Sequence, residues 1–131
     1  MKKNKIIFWT ATILIFLFEG VMPAFTSQTE VAKEGIRHLG YPEYFGIALT
    51  VFKIVGAIIL IIPQAPKRVR EWAYAGFGFD FIFASISHLA VDGFGMEAVF
   101  PWIIFLILAV SYVYYHKVYD GESSFKLAGT Y

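Results

Sequence analysis

The chain contains no cysteine, and charged residues make up only 16% of its 131 residues. Without cysteine there can be no disulfide framework, no thiolate redox couple and no iron–sulfur or cysteine–zinc site. The sequence also lacks a glycine-rich phosphate loop, an HExxH metal motif and a GxSxG nucleophile elbow. The net charge of +1 gives no indication of a nucleic-acid partner. No metal site and no bound cofactor is therefore predicted from a motif.

Apolar residues, in contrast, are abundant. They make up 58% of the chain, and phenylalanine alone occurs 14 times. An ordinary soluble domain has about 25% charged residues, well above the fraction found here. A soluble chain of this length could not bury so much apolar surface in its own core. Much of that surface is therefore expected to face lipid.

Four apolar stretches are separated by segments that contain glycine, proline and charged residues. The stretches are 6–22, 44–62, 72–91 and 99–115. Each is long enough for a helix to cross a hydrocarbon core of about 30 Å. The sequence predicts an all-α fold, an integral membrane bundle of four transmembrane helices. This domain is expected to cover residues 1–119, followed by a short cytoplasmic tail over 120–131.

The distribution of basic residues predicts the orientation of the bundle. They are concentrated at the N-terminus, in the second connection and in the tail: Lys2, Lys3, Lys5, Lys67, Arg68, Arg70, Lys117 and Lys126. The first and third connections carry more acidic than basic residues. The positive-inside rule then places both termini and the 63–71 loop in the cytoplasm, with 24–43 and 92–98 outside. The expected location is a cell membrane.

Four ionisable residues lie inside or at the edge of the predicted spans: Glu19, Lys53, Asp80 and His88. A charge at the centre of a membrane helix costs about 2.5–3.5 kcal/mol on insertion scales, so such residues usually face the bundle interior and pair. Small residues share the helix face of Asp80, and Ser87 is one of them. Helical rise and alternating topology place Lys53 nearly level with Asp80 and within vertical reach of Glu19. We therefore expect Lys53 to pair with one of the two acids.

This polar set has two interpretations, which the residues alone leave open. The residues can form a structural clasp that fixes helix register. They can instead line a pocket that binds a ligand or relays protons, with Glu19, Lys53, Asp80, Ser87 and His88 as ligand-binding candidates. In the second interpretation Asp80 anchors Lys53, while His88 contacts the ligand or exchanges a proton and is the candidate catalytic residue.

Several separated motifs resemble one family of membrane proteins. They are HLGYPEYF (38–45), FKIVGAIILIIP (52–63), REWAYAGFGFDF (70–81) and SISHLAVDG (85–93). In this order they resemble the DoxX-like family of small bacterial membrane proteins, over most of the chain from about Gly20 onward. The family pattern includes the positions of Lys53, Asp80, Ser87 and His88. Glu19 departs from the pattern, because many relatives have a small or hydroxyl residue there.

The resemblance implies a four-helix membrane bundle located in the bacterial plasma membrane. The family takes its name from subunits of a quinone-linked sulfur-oxidising system, whereas most of its members have no assigned activity. The redox role is not carried over on the name alone, because this chain has neither thiols nor a convincing pair of haem-ligating histidines. The expected function is that of a membrane subunit or of a protein that binds a small lipophilic, quinone-like ligand, which would suit the aromatic residues of the spans. The alternatives are a small membrane enzyme, an isomerase or oxidoreductase that uses the same polar residues for proton transfer, and a purely structural or assembly subunit. Expected partners are the lipid bilayer, a lipophilic ligand, and further copies or a larger membrane complex.

Overall fold

The structure is a computed structural model that describes residues 2–120. The described part contains helices and short connections and no strand, which confirms the predicted all-α fold. The α-helices are α1 (Lys2–Phe16), α2 (Met22–Thr26), α3 (Glu30–His38), α4 (Glu43–Ile61), α5 (Lys67–Asp92) and α6 (Met96–Tyr115). Two π-helical turns, Leu17–Val21 and His116–Asp120, follow α1 and α6. The predicted tail from residue 121 onward lies outside the described residues.

Within residues 2–120, four helical stretches are long and apolar enough to cross a membrane, as predicted. They are Lys2–Thr26, Glu43–Ile61, Lys67–Asp92 and Met96–Tyr119. The third is longer than the predicted span because α5 begins directly after Pro66 and takes in the basic residues that follow it. A proline is tolerated there because its missing N–H would have no partner at a helix start.

The four long helices pack in a ring. Helix α6 packs against α5 and α1, and α4 closes the ring by contacting the same two helices. The core between them is apolar and combines aromatic with aliphatic side chains; it includes Phe8, Ile15, Leu60, Phe77, Phe81 and Leu108. We call the end of the bundle that carries α3 the α3 end. The opposite end, where α1 begins and α6 finishes, is the termini end.

Helix α3 lies within the segment that the sequence analysis treated as a connection over 24–43. It begins after Thr29, whose side chain accepts a hydrogen bond from the Ala32 N–H at 3.3 Å. Such an N-cap satisfies one of the unpaired donors of the first helical turn. Ile36 of α3 packs over Gly46 of α4, where a Cβ would lie 3.2 Å from the Ile36 side chain. The helix is therefore held against the start of α4.

Two positions bring the membrane helices unusually close. A Cβ added at Gly20 would lie 2.8 Å from the Cβ of Ala57, and one added at Gly56 would lie 3.0 Å from the Phe77 ring. Small residues allow membrane helices to approach in this way and gain dispersion contacts. The approach at Gly20 fixes the distance between the end of α1 and α4.

The termini end is closed by Arg70. Its guanidinium is buried and donates hydrogen bonds to the main-chain oxygens of Leu60, at 3.1 Å, and Ile62. The same group lies over the ring of Tyr115, 5.2 Å from the centroid. Arg70 thus satisfies carbonyls that the C-terminus of α4 leaves without helical partners. In this it differs from the neighbouring basic residues Lys67 and Arg68, which are exposed.

Candidate functional site

Lys53 lies near the middle of α4 between two carboxylates from different helices. Its Nζ is 3.1 Å from Oε2 of Glu19 and 3.8 Å from Oδ2 of Asp80. The predicted pairing of Lys53 with an acid is confirmed, and both acids take part. We call Glu19, Lys53 and Asp80 the Lys53 cluster. One lysine faces two carboxylates, so the cluster has a formal surplus of one negative charge.

A break in the first helix determines where Glu19 points. Glu19 is in the π-helical turn Leu17–Val21, in which the N–H of Met22 bonds to the carbonyl of Leu17, five residues earlier. Pro23 has no N–H to donate to the Glu19 carbonyl, and the loss of such a bond is a usual cause of helix irregularity. The Glu19 residue is only 8% exposed. Single π turns inside α-helices are frequent at functional sites.

A groove between α4 and α5 leads to the Lys53 cluster from the lipid-facing surface. It has a volume of about 390 Å³, and Lys53 and Asp80 are among its lining residues. Phe52 and Trp72 also line it, and they are 74% and 81% exposed. In a membrane these side chains would be surrounded by acyl chains, so the groove opens sideways into the bilayer. We call it the lateral groove.

A second cavity touches the same residues from the other side. It has a volume of about 230 Å³ and lies beneath α3, with Glu19, Lys53 and Asp80 all in its wall. Tyr41 and Ser87 also line it, and their hydroxyls share a hydrogen bond of 2.6 Å. The predicted site residue Ser87 therefore does line a cavity with the cluster. We call this space the inner cavity.

His88, in contrast, is placed with other partners. It lines neither the lateral groove nor the inner cavity. Its Nδ1 lies 3.5 Å from Oδ2 of Asp92 and 3.6 Å from Oε2 of Glu97. The other oxygen of Asp92 is 2.5 Å from Nε2 of His38, and this hydrogen bond raises the pKa of the His38 imidazole. The structure therefore separates His88 from the Lys53 cluster.

Some residues around these sites were not singled out from the sequence as site residues. Tyr41 covers Ser87 because the chain turns at Gly40, which has a positive φ of 89° that glycine adopts without strain. Asp92 follows His88 by four residues, a spacing that places two side chains on one helix face. The sequence therefore did indicate that Asp92 lies beside His88. No sequence pattern indicated Glu97, since its position depends on how the chain reverses between α5 and α6.

The chain was compared with family sequence models, curated proteins and solved structures. The sequence model of the DoxX-like family matches residues 7–111 of the 131. The matched range extends from α1 into α6 and includes every residue of the Lys53 cluster. No curated protein and no solved structure matches the chain.

Proposed function

The chain belongs to the DoxX-like family and is a multi-pass membrane protein, and from this premise we propose that it binds a small lipophilic molecule at the Lys53 cluster. The polar head of the ligand would contact the cluster, and its apolar part would lie in the lateral groove. The proposed location is the bacterial plasma membrane. The lipid bilayer is the route by which the ligand would arrive.

The observation that supports this proposal is the position of Lys53 and Asp80 in the walls of two cavities at once. A clasp that only fixes helix register needs no adjoining space, because close packing protects a buried ion pair better than a cavity does. Binding sites for small molecules are typically concave and mostly apolar, with a few convergent polar groups. The lateral groove, with aromatic walls and an ion pair at its inner end, has this composition.

The cluster also restricts the chemistry of the ligand. The Lys53 ammonium donates hydrogen bonds, and the carboxylates of Glu19 and Asp80 accept them. The surplus negative charge favours either a bound proton or a ligand that donates a hydrogen bond. A quinone-like ring can bond to both kinds of group. In the oxidised form its oxygens accept hydrogen bonds from Lys53, and in the reduced form its hydroxyls donate hydrogen bonds to a carboxylate. The volume of about 390 Å³ is within the range of about 300–1,000 Å³ that small-molecule sites occupy.

Filling the lateral groove tests the proposal. Gly76 lines the groove, and a Cβ added there meets nothing within 4 Å. Gly76→Leu should therefore occupy the groove without disturbing the helix packing. Gly78→Leu is the matched control, since Gly78 is on the same helix but lines a different cavity, between α5 and α6. The protein in lipid nanodiscs would be titrated with a decyl-substituted benzoquinone while quenching of tryptophan fluorescence is recorded.

We expect saturable quenching of the wild type and of Gly78→Leu, and at least tenfold weaker binding to Gly76→Leu. Trp72 lines the groove, so Trp72→Phe should remove most of the saturable signal. The proposal fails if quenching rises linearly with quinone in the wild type, as partitioning into lipid alone would produce. It also fails if both leucine variants bind as the wild type does.

A further inference from the structure

Histidine and carboxylate side chains from three helices meet at the α3 end, apart from the Lys53 cluster. His88 and Asp92 are on the last turns of α5, and Glu97 is on the first turn of α6. The ligand atoms of these three residues all lie within 4.8 Å of one another. His38 comes from α3 and contacts Asp92. We propose that His88, Asp92 and Glu97 bind a divalent first-row transition-metal cation such as Zn²⁺.

The distances suit such a cation. Tetrahedral zinc binds nitrogen and oxygen at about 2.0–2.2 Å, so its ligand atoms lie about 3.3–3.6 Å apart. Nδ1 of His88 is 3.5 Å from the Asp92 oxygen and 3.6 Å from the Glu97 oxygen. Glu97 is on the surface, with a side chain 72% exposed, so it has room to rotate and complete the triangle. One imidazole and two carboxylates leave a fourth position for water, as in open zinc sites.

A cation between these three residues would contact a shielded imidazole nitrogen and two carboxylates at once. The Nδ1 atom of His88 is shielded from solvent and lies 3.5 Å from a carboxylate oxygen of Asp92 and 3.6 Å from one of Glu97. Neutral imidazole nitrogen is a good ligand for zinc, and a divalent cation offsets the repulsion between the carboxylates of Asp92 and Glu97.

The surrounding contacts fix the relative position of the two helices that carry the ligands. Ser85, one turn before His88, donates a hydrogen bond of 2.7 Å to the carbonyl of Ala98, which is next to Glu97. The indole N–H of Trp102 donates to the same serine hydroxyl at 2.8 Å. These bonds fasten α5 to α6 directly below the three ligands. His38 positions the Asp92 carboxylate from α3, as groups bonded to metal-binding carboxylates usually do.

Metal binding would therefore join α5 and α6, with α3 attached through the contact of His38 with Asp92, at the end of the bundle where the inner cavity is covered. The test uses the full chain purified with a tag that contains no histidine. Thermal unfolding in detergent would be followed with and without Zn²⁺, and isothermal titration would give its Kd. A ligand that binds only the folded state raises the unfolding midpoint as its concentration exceeds Kd. We expect a saturable rise with a stoichiometry of one ion per chain.

Glu97→Gln is the main variant, because this exposed side chain can change without affecting the fold. It should weaken Zn²⁺ binding at least tenfold, and His88→Gln should do the same. His38→Gln, which removes only the positioning contact, should weaken it by about 10–100-fold. His116→Gln is the matched control: this histidine also contacts a carboxylate, that of Glu71 at 2.9 Å, but at the termini end. Its Zn²⁺ affinity should equal that of the wild type.

The proposal is overturned if Zn²⁺ gives no saturable heat and no rise in the unfolding midpoint. It is also overturned if Glu97→Gln and His88→Gln both bind Zn²⁺ as tightly as the wild type, since the ion would then be bound elsewhere. A loss of binding in His116→Gln would contradict it as well. Zinc-edge X-ray absorption of the complex should show about four nitrogen or oxygen neighbours near 2.0–2.1 Å, including one imidazole.

Discussion

At the scale of single residues, Lys53 balances the negative charge inside the helical bundle. It is the only cation within 4 Å of both Glu19 and Asp80 among the described residues. Removing one partner of a buried ion pair leaves an uncompensated charge, which costs far more than loss of a surface pair. The stability of the bundle should therefore depend on Lys53 much more than on the charges around α3.

Lys53→Met should lower the free energy of unfolding by about 3–5 kcal/mol, the usual cost of breaking a buried pair. Lys53→Met combined with Glu19→Gln should recover part of this loss, because the nearer acid is then neutral. Thermal unfolding in detergent measures both. Arg37→Met is the control: Arg37 pairs with Glu34 at 3.0 Å on the surface of α3, where a pair contributes about 0–1 kcal/mol. Simply additive losses in the double variant would contradict the pairing.

At the scale of helices, the π turn that follows α1 packs closely against α4. The π turn directs Glu19 toward Lys53, and Gly20, next in the chain, allows the two helices to touch. A side chain at Gly20 would separate α1 from α4 and pull Glu19 away from Lys53. The ion pair and the close approach therefore depend on each other.

Gly20→Leu should destabilise the protein by about 1–3 kcal/mol or more, the cost of overpacking a well-packed core. Gly76→Leu is the matched control, because the same change there meets open space in the lateral groove. The unfolding midpoints of the two variants in one detergent give the comparison. Equal midpoints would show that the contact between Gly20 and Ala57 does not limit the packing.

The sequence predicted the parts of this structure that depend on the membrane. Long apolar runs identify spans, and charges such as Lys53 and Asp80 inside a run must face inward, whatever the details of packing. The π turn at Glu19, the burial of Arg70 and the position of Glu97 could not be predicted in this way. Each depends on contacts between segments distant in sequence or on a small change of helical register. Helix α3 was missed because it is short and polar and lies outside every span.

At the scale of the whole molecule, the orientation in the membrane is still a prediction from charge. The chain has no cysteine, so a single introduced thiol can be labelled without a background. Ser27→Cys should react with a membrane-impermeant maleimide in intact cells, and Ser123→Cys should react only after lysis. Ser27 is at the α3 end, directly after α2, whereas position 123 lies outside the described residues. Labelling of position 123 but not 27 in intact cells would reverse the topology.

The depth of Lys53 in the bundle has an electrical consequence. Lys53 is near the middle of α4, so a charged group that reaches it from either surface of the membrane would cross about half of the bilayer. Moving one elementary charge through the whole membrane costs or releases about 2.3 kcal/mol per 100 mV, hence roughly 1 kcal/mol for half of it. A ligand or proton that brings charge to Lys53 would bind with an affinity that depends on the membrane potential. A neutral quinone would bind equally well in resting and energised membranes.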